Sequence, residues 1–417
     1  SDLETPYGFD QVPLLHLAAK YPNTFSQILA LYPPQQALAA LEITNMIGKT
    51  VLLAGAAYPT VLETILALYP EQERITQLSK TDIQGNNAWH LASESPKSLN
   101  ILLNLYPEED VYSALMTTNK SNKPVLFDIV ANPQSLRLVL DILPVKNLMD
   151  IISYKSNKKE SVLHCASMYP ESLEMIIDLY PEEERLAAIL SMNNDQINVI
   201  NSASNYPKSV PILLKYFPQE DRFRVLTQLA YRDYLSLIQR IARNADALQE
   251  VLLLLPENQR YEAITSLNAR GRNLLHYTYQ YNASLTVALQ CIPESDRFAL
   301  LKQTKTDEDE GLLHSVIKNI SRLKTITAML AKSDIVKMVK LKNKNGDNLL
   351  NQSLTKPETL EILLASLPAK KRKTLILVQN EEGHSLLSAA SRLPYSLKII
   401  LSSLSADERL ATLKISS

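Results

Sequence analysis

Cysteine is scarce in this chain: Cys165 and Cys291 are the only two among 417 residues, and they stand far apart. That excludes a small scaffold stapled by disulfides and fits a reducing compartment. Glycine is scarce too, at eight residues, and no Gly-rich phosphate loop, nucleophile elbow or H-E-x-x-H string occurs. No apolar run approaches the roughly 20 residues that span a bilayer, and nothing at the N-terminus resembles a signal peptide. A soluble, cytoplasmic chain is expected. Extended low-complexity tracts are missing, and 46% apolar against 21% charged residues suffices for a buried core. The sequence does not open on Met, so a piece of a longer protein, with an enzymatic domain outside this chain, stays among the alternatives.

Net charge of one sign is also nearly absent, at −1, but the balance hides a gradient. Residues 1–120 hold 6 Lys and Arg against 12 Asp and Glu, while residues 311–417 hold 17 against 8. In a linear array one end is expected to be acidic and the other basic.

Proline, by contrast, is plentiful, and 17 of its 22 residues fall in two recurring slots. Aligning on the residue six before the first proline gives His16, Leu53, His90, Phe127, His164, Asn201, Gln239, His276, His314, Asn351 and Ser388, at intervals of 37 or 38. Such a period marks a solenoid in which each unit contacts its neighbours. The spacing predicts a lead-in over 1–10 and a single continuous solenoid over 11–417. Its eleven units run roughly 11–48, 49–85, 86–122, 123–158, 159–196, 197–233, 234–271, 272–309, 310–346, 347–383 and 384–417.

Each unit reads as a turn and three short helices. Asn45, Asp82, Asn119, Ser156, Asn193, Asn268, Asn343 and Asn380 supply side chains that bond turn amides, and Gly48, Gly85, Gly271, Gly346 and Gly383 accept positive φ. Thr50, Asn87, Ser161, Asn198, Ser236, Asn273, Asn348 and Ser385 are N-cap candidates for the first helix. Prolines at 22, 59, 96, 133, 170, 207, 357 and 394 suit the first position of the second. Three residues on, the slot from Phe25 to Leu397 is apolar in all eleven units. A second proline set, at 33, 70, 107, 144, 181, 218, 256, 293 and 368, precedes a segment with apolar slots five and eight residues later, which predicts a third helix.

Gly85-Asn86-Asn87-Ala88-Trp89-His90-Leu91-Ala92, and Leu15-His16-Leu17-Ala18-Ala19, resemble the ankyrin repeat's G-x-T-P-L-H-x-A opening. The resemblance touches all eleven units and implies an all-α, ankyrin-like helical solenoid that binds other proteins. The P-E-E-x-R segment departs from that family, standing where an ordinary ankyrin repeat has an extended finger turn. Divergent, Tyr-Pro-rich arrays of this kind also resemble ankyrin-type effectors that intracellular bacteria deliver into host cytoplasm, which would make the partner a host protein.

The six histidines invite a metal or catalytic reading, but His16, His90, His164, His276 and His314 occupy one slot of different units, where the rings are expected to hold inter-unit turns. His384 lies on a turn. Cys165 adjoins His164, and adjacent helical residues do not face each other. Arg74, Arg185, Arg222, Arg260, Arg297, Arg372 and Arg409 repeat in register, as in a ladder pairing with nearby Glu. No catalytic residue, metal ligand, cofactor or small-molecule substrate is implied.

A binding surface is expected where the first helix varies. Its residues one and four past the histidine slot gain Arg, Tyr and Lys from the seventh unit onward, and the resemblance implies that this stripe lines the concave side. Tyr231-Arg232-Asp233-Tyr234 replaces the Gly turn there, and Tyr277, Tyr279 and Tyr281 crowd one helix. Arg240, Arg243, Tyr277, Gln280 and Lys318 form the expected partner-binding patch, since Tyr and Arg dominate interface hot spots. The run Lys370-Lys371-Arg372-Lys373 offers an alternative contact to nucleic acid or anionic lipid, although a base-reading code needs matched side chains in most units and this stripe is often Ala, Leu or Ser.

Overall fold

The structure is a computed structural model that describes residues 13–228, 235–304, 311–343, 346–378 and 385–415. It divides into two compact units, Ser1–Phe217 and Pro218–Ser417. Both are built of short helices. Among the described residues the only β pairings are isolated bridges, such as Thr118 with Pro124.

One repeat shows why the chain folds this way. Asn87 caps Ala88–Ala92, its side chain accepting from the His90 amide at 3.2 Å. That helix stops before Ser95-Pro96, and Pro96 opens Pro96–Leu105 at the position where a missing N–H costs nothing. Pro107 then stands at the N-cap of Glu108–Leu115, whose first turn is acidic, as the helix dipole favours. The segment in place of a finger turn is therefore a helix. Pro70, Pro144, Pro181, Pro256, Pro293 and Pro368 hold the same N-cap position, with φ between −60° and −50°. Pro207 departs from its set: it lies in the turn before Ser209–Leu214 and accepts the Val210 amide.

The apolar slot of the second helix is the core. Phe25, Leu62, Leu99, Leu136, Leu173, Val210, Leu248, Leu285, Leu323 and Leu360 are fully buried, each contributing roughly 1.5–3 kcal/mol of transfer energy. Leu78, Leu115, Ile189 and Ile264, eight past the second proline, are equally buried. The slot five past it behaves differently: Ile75 and Met149 remain exposed, because a helix resting on one neighbour hides only one stripe. Second helices pack on second helices, as Pro59–Leu68 does on Pro96–Leu105, and Asn282–Gln290 on both Ala245–Leu253 and Ile320–Met329. First helices stack likewise, Val51–Gly55 on Ala88–Ala92 and Val125–Ile129 on Val162–Ala166.

The turns form their own ladder in the N-terminal unit. Ile83 N–H donates to Ile47 O, Lys120 N–H to Gln84 O, Asn157 N–H to Ser121 O and Asn194 N–H to Lys158 O. At Asn45, Asp82, Asn119 and Asn193 one side-chain oxygen accepts two turn amides, as Asn119 Oδ1 does from Ser121 and Lys123, while Ser156 Oγ accepts one, from Glu160. Three residues later the backbone turns left-handed, at Gly85 (φ 82°) but also at Asn122, Lys159 and Gln196. Gly85 is constrained twice, because a Cβ there would come within 2.8 Å of the Lys120 nitrogen. Asn380, Gly383 and the Tyr231–Tyr234 string lie outside the described residues, as does His384.

Candidate functional site

Many of the recurrent polar residues serve the repeat itself, although His314 Nε2 and the hydroxyls of Ser98, Ser135, Ser172, Ser209 and Ser284 are buried without a hydrogen-bond partner among the described residues. His16 Nε2 meets Lys49 O at 2.8 Å, His90 Nε2 meets Lys123 O at 3.4 Å and His164 Nε2 meets Ile197 O at 3.2 Å. A carbonyl only accepts, so Nε2 carries a proton. At His90 and His164 the other nitrogen accepts the N-cap amide of Asn87 or Ser161, and at His276 it accepts the Asn273 amide, although the N-cap of Leu275–Thr278 is Leu274 and not Asn273. Burial holds the His16, His90 and His164 rings below the ordinary histidine value, against the smaller upward pull of those carbonyls.

The arginine ladder differs from the expected pairing with Glu. Arg74, Arg185, Arg260, Arg297, Arg372 and Arg409 each donate Nε–H to the carbonyl just before the second proline slot, at 3.0–3.2 Å. Arg297 Nη1 also reaches Met329 O at 2.8 Å, and Arg372 Nη1 reaches Ser403 O at 3.3 Å, both in the following repeat. These carbonyls end the second helix, where no further turn supplies an amide, and a guanidinium caps them; Leu404 O is capped in the same way although Ser405 stands in the proline slot. Arg185 does add an acid, Asp178, at 3.5 Å.

Cysteine chemistry finds no support in the geometry. Cys165 is buried, which pushes its thiol up to about 12, and Cys291 is half-buried with its thiol also raised by burial. Among the described residues no group of three or more His, Cys, Asp or Glu side chains could hold a metal ion. Nor is any described helix long and apolar enough to cross a membrane.

What stays variable and outward is the first-helix stripe. In the C-terminal unit Arg240 ends Leu237–Arg240, Arg243 ends the 3₁₀ turn Ile241–Arg243, and Leu275–Thr278, which carries Tyr277, packs against that turn. Lys318 ends the turn Val316–Lys318. Arg243, Gln280 and Lys318 are exposed, whereas Arg240 and Tyr277 are half-buried. Tyr277 has a second duty, since its hydroxyl accepts from Asn268 Nδ2 at 2.8 Å, and that same nitrogen donates to Gln239 Oε1. Gln280 Nε2 donates to the Tyr279 hydroxyl at 3.0 Å.

Sequence reasoning missed Arg322. Its guanidinium lies over the Tyr279 ring at 5.1 Å and reaches Ser315 Oγ at 3.4 Å, tying the stripe of one repeat to the next. A signal was there to find. The slot two past the first proline position is Ser98, Ser135, Ser172, Ser209, Ser284 and Ser396, and a lone arginine stands in it at 322.

No protein-family model matches the chain, and no curated protein matches it. Among solved structures it is similar to the human ASB11 ankyrin repeat domain, with 14% identity over 59% of this chain and 99% of that one, at a TM-score of 0.37. It is also similar to a chain of the complex between Bd0816, a predatory endopeptidase from Bdellovibrio bacteriovorus, and immunity protein Bd3460. That match has 15% identity over 49% of this chain and 98% of that one, at a TM-score of 0.36. The ankyrin-like character of the array rests on its own units: an Asn-anchored turn, a short capped helix with an inward His or Gln, and a longer second helix.

Proposed function

We propose that this chain is a non-enzymatic scaffold that holds a partner protein against the first-helix stripe, with Arg240, Arg243, Tyr277, Gln280 and Lys318 at the centre of the contact. One observation carries the reading. The repeating arginines and the histidines His16, His90 and His164 are bonded to turns and helix ends, while the exposed positions of the stripe change from repeat to repeat and turn large and cationic in the C-terminal unit. Hot spots of this composition supply wide contact area for few rotatable bonds. The resemblance to effectors of intracellular bacteria makes a host protein the partner in this reading.

The test is capture from a eukaryotic cytosolic extract, followed by titration of the captured protein at rising salt. A contact through these three cations and one tyrosine loses far less affinity between 50 and 200 mM salt than binding along a phosphate backbone, which falls by about 10³ or more. A collapse of that size, or the recovery of nucleic acid alone, would replace the protein-scaffold reading.

A further inference from the structure

The groove between Pro357–Ser366 and Pro394–Ser402 opens into a cavity of about 600 Å³. Leu364, Ile399 and the Tyr395 ring form apolar walls, and Arg372, Lys398 and Glu361 complete the lining. One departure from the repeat pattern lines it, and a second lies beside Arg372 on the helix Ala369–Leu377. The slot one past the first proline is Thr60, Lys97, Gln134, Glu171, Lys208 and Glu358 in other repeats, and here it is Tyr395. That side chain is 79% exposed, so it does nothing for the core. Independently, the slot three past the second proline is acidic at Glu73, Asp110, Glu184, Asp221, Asp296 and Asp334, yet Lys371 stands there in this repeat, between Lys370 and Arg372.

An exposed aromatic added to a groove lined by Arg372 and Lys398, next to a helix start turned from acidic to basic, is what a ligand, rather than packing, would require. Arg372 is already fixed for that role. Its Nε, Nη1 and Nη2 donate to Leu367, Ser403 and Ala365 carbonyls at 3.2, 3.3 and 3.4 Å, so little side-chain freedom remains to be lost when an anion meets it.

We propose that this groove takes an acidic peptide segment of a partner protein, an apolar side chain entering against Tyr395, Leu364 and Ile399 while flanking carboxylates meet Arg372 and Lys398. Glu361 opposes such a peptide and sets its affinity. It opposes a phosphate backbone more, since a polyanion tracking the groove cannot avoid it, and the apolar walls give phosphates nothing. This surface is separate from the stripe of first helices and stands or falls without it.

Fluorescence anisotropy of the full chain with a fluorescein-labelled Glu-Glu-Leu-Phe-Glu-Glu peptide at low salt tests this. Its Gln-for-Glu analogue and a labelled oligothymidylate serve as comparison probes. The acidic peptide binds, the neutral analogue binds roughly tenfold or more weakly, and Tyr395→Ala and Lys398→Glu each weaken the acidic peptide by a similar factor. Glu361→Gln tightens it. All three side chains are exposed, and a thermal melt checks that the variants stay folded. Absent binding, equal binding of the neutral analogue, or affinity unmoved by Tyr395→Ala and Lys398→Glu overturns the proposal. So does oligothymidylate bound in preference to the peptide.

Discussion

Gln239 Nε2 donates to Arg272 O at 3.0 Å, spanning the same thirty-three residues by which His164 reaches Ile197 O. The glutamine also takes the Ser236 amide on Oε1 at 3.2 Å, as His164 Nδ1 takes that of Ser161. A carboxamide offers one acceptor and one donor, and so does a neutral imidazole. Where this slot bonds the next turn it therefore asks for that pair of groups, not for a titrating ring, and Leu53 and Phe127 fill it without such a bond.

Acid should loosen the N-terminal unit through these rings. Their folded values lie below the ordinary 6.5, so on acidification the unfolded chain takes up protons first. The stability they contribute is whole above about pH 6.5 and is lost as pH falls toward their folded values. Thermal melts from pH 7.5 to 5.5 should show a falling Tm, and His16→Gln, His90→Gln and His164→Gln combined should flatten that slope. An unchanged slope would detach these rings from stability.

Arg297→Met should cost about 2–3 kcal/mol, because it strips Leu289 O, Ile292 O and Met329 O of a charged donor. Arg297→Lys should recover little of it, since one ammonium cannot match a planar fork aimed at separate carbonyls. Urea melts of the two variants measure this. Full recovery by lysine would reduce the ladder to its charge.

Gly85→Ala should destabilise by more than Gly271→Ala. Both have positive φ, 82° and 68°, but the added Cβ meets the Lys120 nitrogen at 2.8 Å in the first and, among the described residues, nothing within 4 Å in the second. The conformational cost alone is about 1 kcal/mol, and the clash adds to it. Equal losses would mean that the turn ladder yields freely.

Thiol reagents should separate the two cysteines. Cys165, buried and with its thiol at about 12, should label only on unfolding, and half-buried Cys291 should label first. Peptide mass spectrometry over time reads the order. Fast labelling of Cys165 in the native protein would reopen it as a reactive group.

The period, the proline slots and the apolar face were legible because each is a local rule repeated many times, so that departures such as Ala245, Asn282 and Ile320 in the first proline slot do not hide it. The site was less legible, since a surface contact leaves no period. Tyr277 looked like a free aromatic in the sequence, and only the fold shows its hydroxyl bonded to Asn268. The arginines pointed to acids when read as charges alone. Their true partners are backbone carbonyls, which every residue carries and no sequence pattern marks. Likewise the Tyr395 groove requires residues from three helices, two of them a repeat apart.

Because Tyr277 also holds a turn, exposed Arg243 and Lys318 give the cleaner test of the stripe. The deciding measurement is the affinity of the captured partner for the native chain, for Arg243→Ala with Lys318→Ala, and for His90→Gln. The stripe variant should lose roughly tenfold or more in affinity while melting as the native chain does, and His90→Gln should bind unchanged. Affinity kept by the stripe variant, or lost with a folded His90→Gln, contradicts the division between structural rungs and a binding stripe.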